Sequence, residues 1–283
     1  MKATSENSGR GTRNSKLIAS RDNSLLRLAR AIRDGKDESL IFVEGLRLCE
    51  EALGSGLEIH AVVYSNEIAR KERAAALLTE LSKVCERLGE VSESLLATVS
   101  YTKTPQGIIV LAGRPVSGKE RLAATKAQPH LLVIIDGINN PVNVGAIIRS
   151  AEAAGATGVI TTGESSDPFS PKSLRGAMGS AFRLPIWSGA SYQEALSWCG
   201  EQEIKTVCTD VEAPKLHTEI DWTGPIALIL GSESLGLAAE QVEMAAAEVK
   251  IPMQGSVESL NVGVAAAVIL YEAARQRMSN DDG

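Results

Sequence analysis

The run Leu131 to Asp136 constrains the fold most, because it is continuously apolar up to its last residue. A strand with no polar alternation is buried on both faces, and such strands belong to parallel sheets covered by helices. Further strands are predicted at Gly158 to Thr162, Lys205 to Thr209, Ile226 to Leu230 and Val249 to Ile251. Helices are predicted between them, notably Val144 to Ala154 and Ala238 to Ala247. The last helix, Val262 to Arg277, is apolar enough in its first half to be covered by other elements or by a second subunit. No apolar run approaches the ~20 residues of a membrane-spanning helix. No G-x-G-x-x-G occurs, so an ordinary dinucleotide-binding fold has little support.

The first half alternates in the same way over shorter elements. A short amphipathic helix is predicted at Leu25 to Ile32, with Leu25, Leu28, Ala29 and Ile32 on one side and Arg27, Arg30 and Arg33 on another. Strands follow at Leu40 to Val43, Ile59 to Tyr64 and Gly107 to Ala112, and helices at Leu46 to Leu53 and Glu67 to Leu88. Gly113 to Gln128 has no firm period and is read as a linker. Gly113, Gly118 and Lys119 mimic a phosphate-binding loop, but Glu120 supplies an anion where a hydroxyl is required. The expected division is therefore a basic arm with a short helix (1–36), a small α/β domain (37–114), a linker (115–129) and a larger α/β domain (130–283).

Charge is unevenly spread. Residues 1–36 carry nine basic and three acidic side chains, while the whole chain has a net charge of −6. A basic arm on an acidic body suits phosphate contacts, with a solvated tail as the plainer reading. Removing residues 1–36 is then expected to weaken nucleic-acid binding and flatten its salt dependence. The N-terminus has no apolar core of the kind a secretory signal contains, so the cytoplasm is the expected compartment. Cys49, Cys85, Cys199 and Cys208 are scattered and distant from His60, His130 and His217, which argues against a structural zinc site.

Three loops carry residues suited to chemistry. Asn140-Pro141-Val142-Asn143-Val144-Gly145-Ala146-Ile147-Ile148-Arg149 follows the first strand. There Asn143 could cap the helix, Gly145 admits another backbone, and Arg149 is expected on the inside of an apolar helix. Leu230-Gly231-Ser232-Glu233-Ser234-Leu235-Gly236-Leu237 is a glycine-bracketed turn with Glu233 available to compensate a positive charge. Ile251-Pro252-Met253-Gln254-Gly255-Ser256-Val257-Glu258-Ser259-Leu260-Asn261 is a polar loop before the last helix, which Ser259 and Asn261 could cap. A shared cleft at the C-terminal edge of the sheet is expected.

In this order the loops resemble the signature of the SpoU/TrmH family of RNA 2'-O-ribose methyltransferases, within the SPOUT superfamily. The matches are N-P-x-N-x-G-x-x-x-R, L-G-x-E-x-x-G-L and I-P-M-x-G-x-x-x-S-L-N-V, with Ser170 to Ser180 also similar to the family pattern. Phe42 to Arg47 and Thr104 to Ile108 resemble the family's auxiliary RNA-binding domain, whose fold is like ribosomal protein L30e. The resemblance implies an α/β protein whose C-terminal SPOUT domain is knotted as a trefoil, behind an L30e-like substrate-binding domain. It further implies S-adenosylmethionine in the knot loops and a homodimer formed through that domain. By resemblance, Arg149, Asn143, Ser259, Asn261 and Glu233 are active-site residues. Gly231, Ile251, Leu260, Leu230 and Met253 would contact the cofactor, and Arg175, Arg27, Arg30 and Arg33 would contact RNA. Ribosomal RNA is the expected substrate, with transfer RNA or a non-catalytic RNA-binding relative as the alternatives.

Overall fold

The structure, a computed structural model, describes residues 15–125 and 129–281. Lys2, Arg10 and Arg13 of the basic arm lie outside the described residues. The chain divides into two compact units, Met1–Arg114 and Pro115–Gly283.

The first unit runs β1 (Ser15–Leu17), α1 (Ser24–Arg33), β2 (Leu40–Glu44), α2 (Leu46–Gly54), β3 (Ile59–Ser65), α3 (Glu72–Val84), β4 (Leu88–Val91), α4 (Glu93–Ala97) and β5 (Ile108–Gly113). Its sheet has the order β1-β4-β3-β5-β2. β4 lies parallel to β1 and β3, whereas β5 runs antiparallel to β2 and β3. The segment predicted as one helix over 67–88 is therefore divided. α3 stops at Val84, and Leu88–Val91 joins the sheet, where Gly89 leaves room for Ile18 and Leu25 to pack against the strand. α1 is no appendage either, because Leu25, Leu26, Ala29 and Ile32 are buried in this unit's core with Phe42, Val63 and Leu111. Removing residues 1–36 would thus expose that core, so a truncation that tests the arm alone must stop before Ser15.

The second unit runs α5 (Lys119–Ala123), β6 (Leu131–Ile135), α6 (Pro141–Ala153), β7 (Gly158–Thr162), α7 (Pro171–Ala177), α8 (Ser180–Arg183), β8 (Ile186–Ala190), α9 (Tyr192–Glu201), β9 (Lys205–Thr209), β10 (Lys215–Leu216), β11 (Ile226–Leu230), α10 (Ala239–Met244), β12 (Ala247–Lys250) and α11 (Val262–Asp281). Its seven strands are all parallel in the order β10-β12-β9-β11-β6-β7-β8. β6, β7 and β11 are buried along their whole length, as continuous apolar runs require. The stretch read as a linker is partly folded onto this unit. Ser117 accepts a bond from the Ser188 amide at 2.8 Å, and Leu122 is fully buried against Gly158.

α11 is tied to the base of the sheet by two side chains, Gln276, which bonds Ile220 and Trp222, and Arg277. Arg277 donates to the carbonyls of Trp222 (2.8 Å), Pro129 (2.7 Å), His130 (3.0 Å) and Gly224 (2.6 Å). Arg277→Ala strands several carbonyls at once, and a charge-assisted network of this kind is worth about 3 kcal/mol. A urea titration of the variant is expected to show the midpoint falling accordingly, whereas Arg275→Ala, which loses only a surface pair with Glu272, leaves it nearly unchanged.

Among the described residues, no helix is long and apolar enough to cross a membrane.

Candidate active site

All strands of the second sheet point the same way, so the loops after β6, β9, β11 and β12 gather at one edge. There, a cavity of about 550 Å3 opens between the turn 231–236 and the loop 251–261. Leu230, Gly231, Glu233, Ile251, Met253, Ser259, Leu260 and Asn261 all line it, which brings the second and third loops together as expected.

The turn after β11 has this shape because its glycines permit it. A Cβ on Gly231 would lie 2.5 Å from the Gly236 carbonyl carbon and 2.7 Å from the Leu237 nitrogen, so the chain can double back only on a bare backbone. Ser232 and Gly236 then exchange two backbone hydrogen bonds, and Gly236 takes a φ of +66°.

The first loop joins the cavity through side chains. Asn140, and not Asn143, caps α6, accepting from the Val142 amide at 3.0 Å with Pro141 in the first turn. Asn143 is thereby one turn into the helix, 8% exposed, with its amide free for other partners. Its Nδ2 donates to Glu233 Oε1 at 2.8 Å, and its Oδ1 accepts from Asn261 Nδ2 at 3.2 Å. Asn261 in turn caps α11, its Oδ1 accepting from the Gly263 amide at 3.0 Å. One chain of hydrogen bonds, Glu233 to Asn143 to Asn261, therefore closes all three loops around the cavity mouth.

Arg149 departs from its expected place. It is exposed, not inside, and makes no hydrogen bond or ion pair among the described residues. α6 buries Asn143, Val144, Ile147, Ile148 and Ala151, which turns Val142 and Arg149 outward. Neither Arg149 nor Asn143 lines the cavity. Arg175, on α7, is likewise exposed and without such a partner among the described residues. α6 and α7 touch backbone to backbone, because Gly145 and Gly176 face each other and a Cβ on Gly145 would meet the Ser173 carbonyl oxygen at 2.3 Å.

Of the arginines on α1, Arg27 is exposed, whereas Arg30 donates to the Arg21 carbonyl at 2.8 Å. Arg33 is engaged with Asp34 and with the carbonyls of Thr98, Val99 and Ser100. Thr209, Asp210 and Val211 at the end of β9, with Lys250 and Glu258, also line the cavity and were not singled out from sequence. β9 lies between β12 and β11, so its C-terminal end had to share their edge, but that order is visible only in the sheet. The thiols are not poised for chemistry: burial pushes Cys199 up to about 12 and Cys208 up to about 11.

A cavity of this size takes a ligand of small-molecule dimensions. Comparison with known proteins gives the class. The SpoU rRNA Methylase family matches residues 130–271, and the MRM3-like substrate binding domain matches residues 25–110. The chain belongs to the SpoU rRNA methylase family, and is thus a methyltransferase.

Among its relatives is a 23S rRNA (uridine(2479)-2'-O)-methyltransferase of Streptomyces viridochromogenes. It is 31% identical over 242 residues, covering 84% of this chain and 83% of the relative. A 23S rRNA (guanosine-2'-O-)-methyltransferase of Coxiella burnetii is 34% identical over 219 residues, covering 76% of this chain and 87% of the relative. The crystal structure of an AdoMet-bound rRNA methyltransferase from Sinorhizobium meliloti superposes with a TM-score of 0.80 at 29% identity, covering 93% of this chain and 98% of that one.

Proposed function

We propose that this protein methylates a ribose 2'-hydroxyl of ribosomal RNA with S-adenosylmethionine as the methyl donor. The observation that carries the reading is the hydrogen-bonded closure of the three family loops, Glu233 to Asn143 to Asn261, around one nucleoside-sized cavity. Leu230, Gly231, Ile251, Met253 and Leu260 would hold the cofactor, largely through the main chain of the two loops. When bound, it supplies a methyl group on a positively charged sulfur.

The chain's own work is alignment and charge. Methyl transfer to the ribose oxygen needs the oxygen, carbon and sulfur in line, and the hydroxyl proton must leave. A guanidinium stays protonated in proteins, so Arg149 is not the base. Exposed and without a hydrogen-bond or ion-pair partner among the described residues, it is suited to hold an RNA phosphate and to stabilise the developing alkoxide. Glu233 faces the cavity with one oxygen fixed by Asn143, which leaves a carboxylate that would compensate the positive charge of a bound cofactor. Ser259, exposed at the same mouth, is a polar contact for the ribose. Arg175 is the second phosphate contact, on the helix packed against α6.

The first unit serves as the RNA-binding domain of this reading, in the cytoplasm, with residues 1–36 adding positive charge. The active form is a homodimer. α11 leaves Val264, Val268 and Tyr271 exposed along one stripe, the last at 56%, and Val142 of α6 is exposed as well. A second copy covering this stripe places Arg149 at the interface. The family's knot, with the last segment threaded through an earlier loop, is part of the same reading.

The substrate class is tested by offering methyl-labelled S-adenosylmethionine with unmodified ribosomal RNA and transfer RNA together. Label confined to ribosomal RNA is expected. Label in transfer RNA would select the alternative substrate, and no label in either, with the cofactor bound, would select a binding-only relative.

A further inference from the structure

One surface segment of the first unit is held more tightly than a connecting loop requires. Between α4 and β5 the chain passes through residues 98–107, and two charged side chains of opposite sign fix its backbone. Glu44, 5% exposed at the end of β2, accepts from the amides of Tyr101 (2.9 Å), Thr102 (3.2 Å) and Gln106 (3.4 Å), and from the hydroxyls of Ser100 and Thr102. Arg33 donates to the carbonyls of Val99 (3.1 Å), Thr98 (3.3 Å) and Ser100 (3.4 Å) from the opposite end of the same segment. Burying a carboxylate is costly unless its oxygens are satisfied, and here its acceptors are filled by donors of a single loop.

The loop carries what a nucleic acid would use. Residues 1–114 contain three aromatic side chains, Phe42, Tyr64 and Tyr101. Phe42 and Tyr64 are core residues, 1% and 2% exposed, whereas Tyr101 is 41% exposed. Lys103, two residues on, is exposed and has no hydrogen bond or ion pair among the described residues. Gln106 is exposed at the far end, its Cβ and Cγ against Gly45, and Arg47 is exposed in the first turn of α2. An aromatic face next to a free cation on a rigid backbone is the arrangement that stacks an unpaired base and neutralises its phosphate.

We propose that the 98–107 loop is the RNA-contact surface of the first unit, stacking an unpaired base of a single-stranded RNA segment on Tyr101 and holding an adjacent phosphate with Lys103. Glu44 and Arg33 are its positioning residues. The inference rests on the reading of this chain as an RNA methyltransferase. It reassigns Arg33, whose guanidinium is spent on carbonyls, from phosphate contact to support of the loop.

The test measures binding of ribosomal RNA transcribed in vitro to the full chain over a range of salt concentrations, with cofactor affinity and melting temperature as controls. Tyr101→Ala is expected to weaken RNA binding about tenfold or more, and Tyr101→Phe to restore it, with both controls unmoved. Lys103→Ala is expected to lower the salt slope by about one. Arg33→Ala is expected to weaken binding while keeping the slope, because its cation touches no phosphate. Tyr101→Ala binding as tightly as the wild type, or Arg33→Ala lowering the slope as Lys103→Ala does, would overturn the assignment. If the wild type itself neither binds nor methylates the RNA, the functional reading fails and this inference falls with it.

Discussion

Arg149→Ala lowers methyl transfer by about 100- to 1000-fold, the loss expected when one preorganised group facing developing charge is removed. The affinity for S-adenosylmethionine stays within about twofold, because the side chain contributes nothing to the cavity wall. The expectation follows from where α6 puts it. Its neighbours Ile147 and Ile148 are fully buried and hold the helix, while Arg149 faces solvent with no partner among the described residues. Losing it leaves no buried charge uncompensated, so the melting temperature is expected to hold. Single-turnover transfer together with calorimetric cofactor binding measures both quantities. Wild-type turnover in the variant would remove Arg149 from the mechanism, and a parallel loss of cofactor affinity would make it a binding residue.

Gly145→Ala destabilises the second unit by about 3 kcal/mol, at the upper end of overpacking costs. Every nearest neighbour of the added methyl is main chain: the Ser173 carbonyl oxygen at 2.3 Å, the Gly176 Cα at 2.9 Å and the Ala177 nitrogen at 3.0 Å. No side-chain rotation relieves these contacts, so α7 must move away from α6. Over a unit of this size the shift in melting temperature is about 6–12 °C. Gly200→Ala is the matched control, since α9 offers open space at that position and a helical backbone, and it should leave the melting temperature unchanged or slightly higher. Equal melting temperatures for the two variants, by scanning calorimetry, would show that α6 and α7 are not locked at Gly145.

The same two helices mark how far the sequence could be read. The apolar runs at 131–135 and 226–230 are strands because nothing else buries both faces of five residues, and that much is local. α6 is different, for it carries apolar residues on every side, so periodicity alone cannot tell which way Arg149 points. Its outward direction emerges only once Gly145 is seated against Gly176. Sheet order is similarly non-local: β9 sits between β11 and β12, and so Asp210 reaches the cavity edge with no signal around it in the chain. No strand is predicted at Leu88–Val91, whose first residue ends the helix predicted over 67–88, because its four residues, one of them glycine, carry too little pattern to stand alone. Glu44 was visible only as part of a motif. That it clamps a loop some sixty residues downstream depends on β2 and β5 pairing in register.

Asn143, Glu233 and Asn261 are separated in sequence by 90 and 118 residues from the first to each of the others, yet they form one hydrogen-bonded chain. The resemblance of the three loops to the family's motifs pointed to them before any geometry did. The capping of α6 was misplaced by one turn, because two asparagines compete for that role and the proline between them decides in favour of Asn140.

The central claim is ribose methylation by the closed three-loop site, and nucleoside analysis of RNA methylated in vitro tests it most directly. After transfer from labelled S-adenosylmethionine, the RNA is digested to nucleosides and the label is located by chromatography against 2'-O-methyl and base-methyl standards. All label in a 2'-O-methylated nucleoside is the predicted result, and label in a base-methylated nucleoside would contradict it.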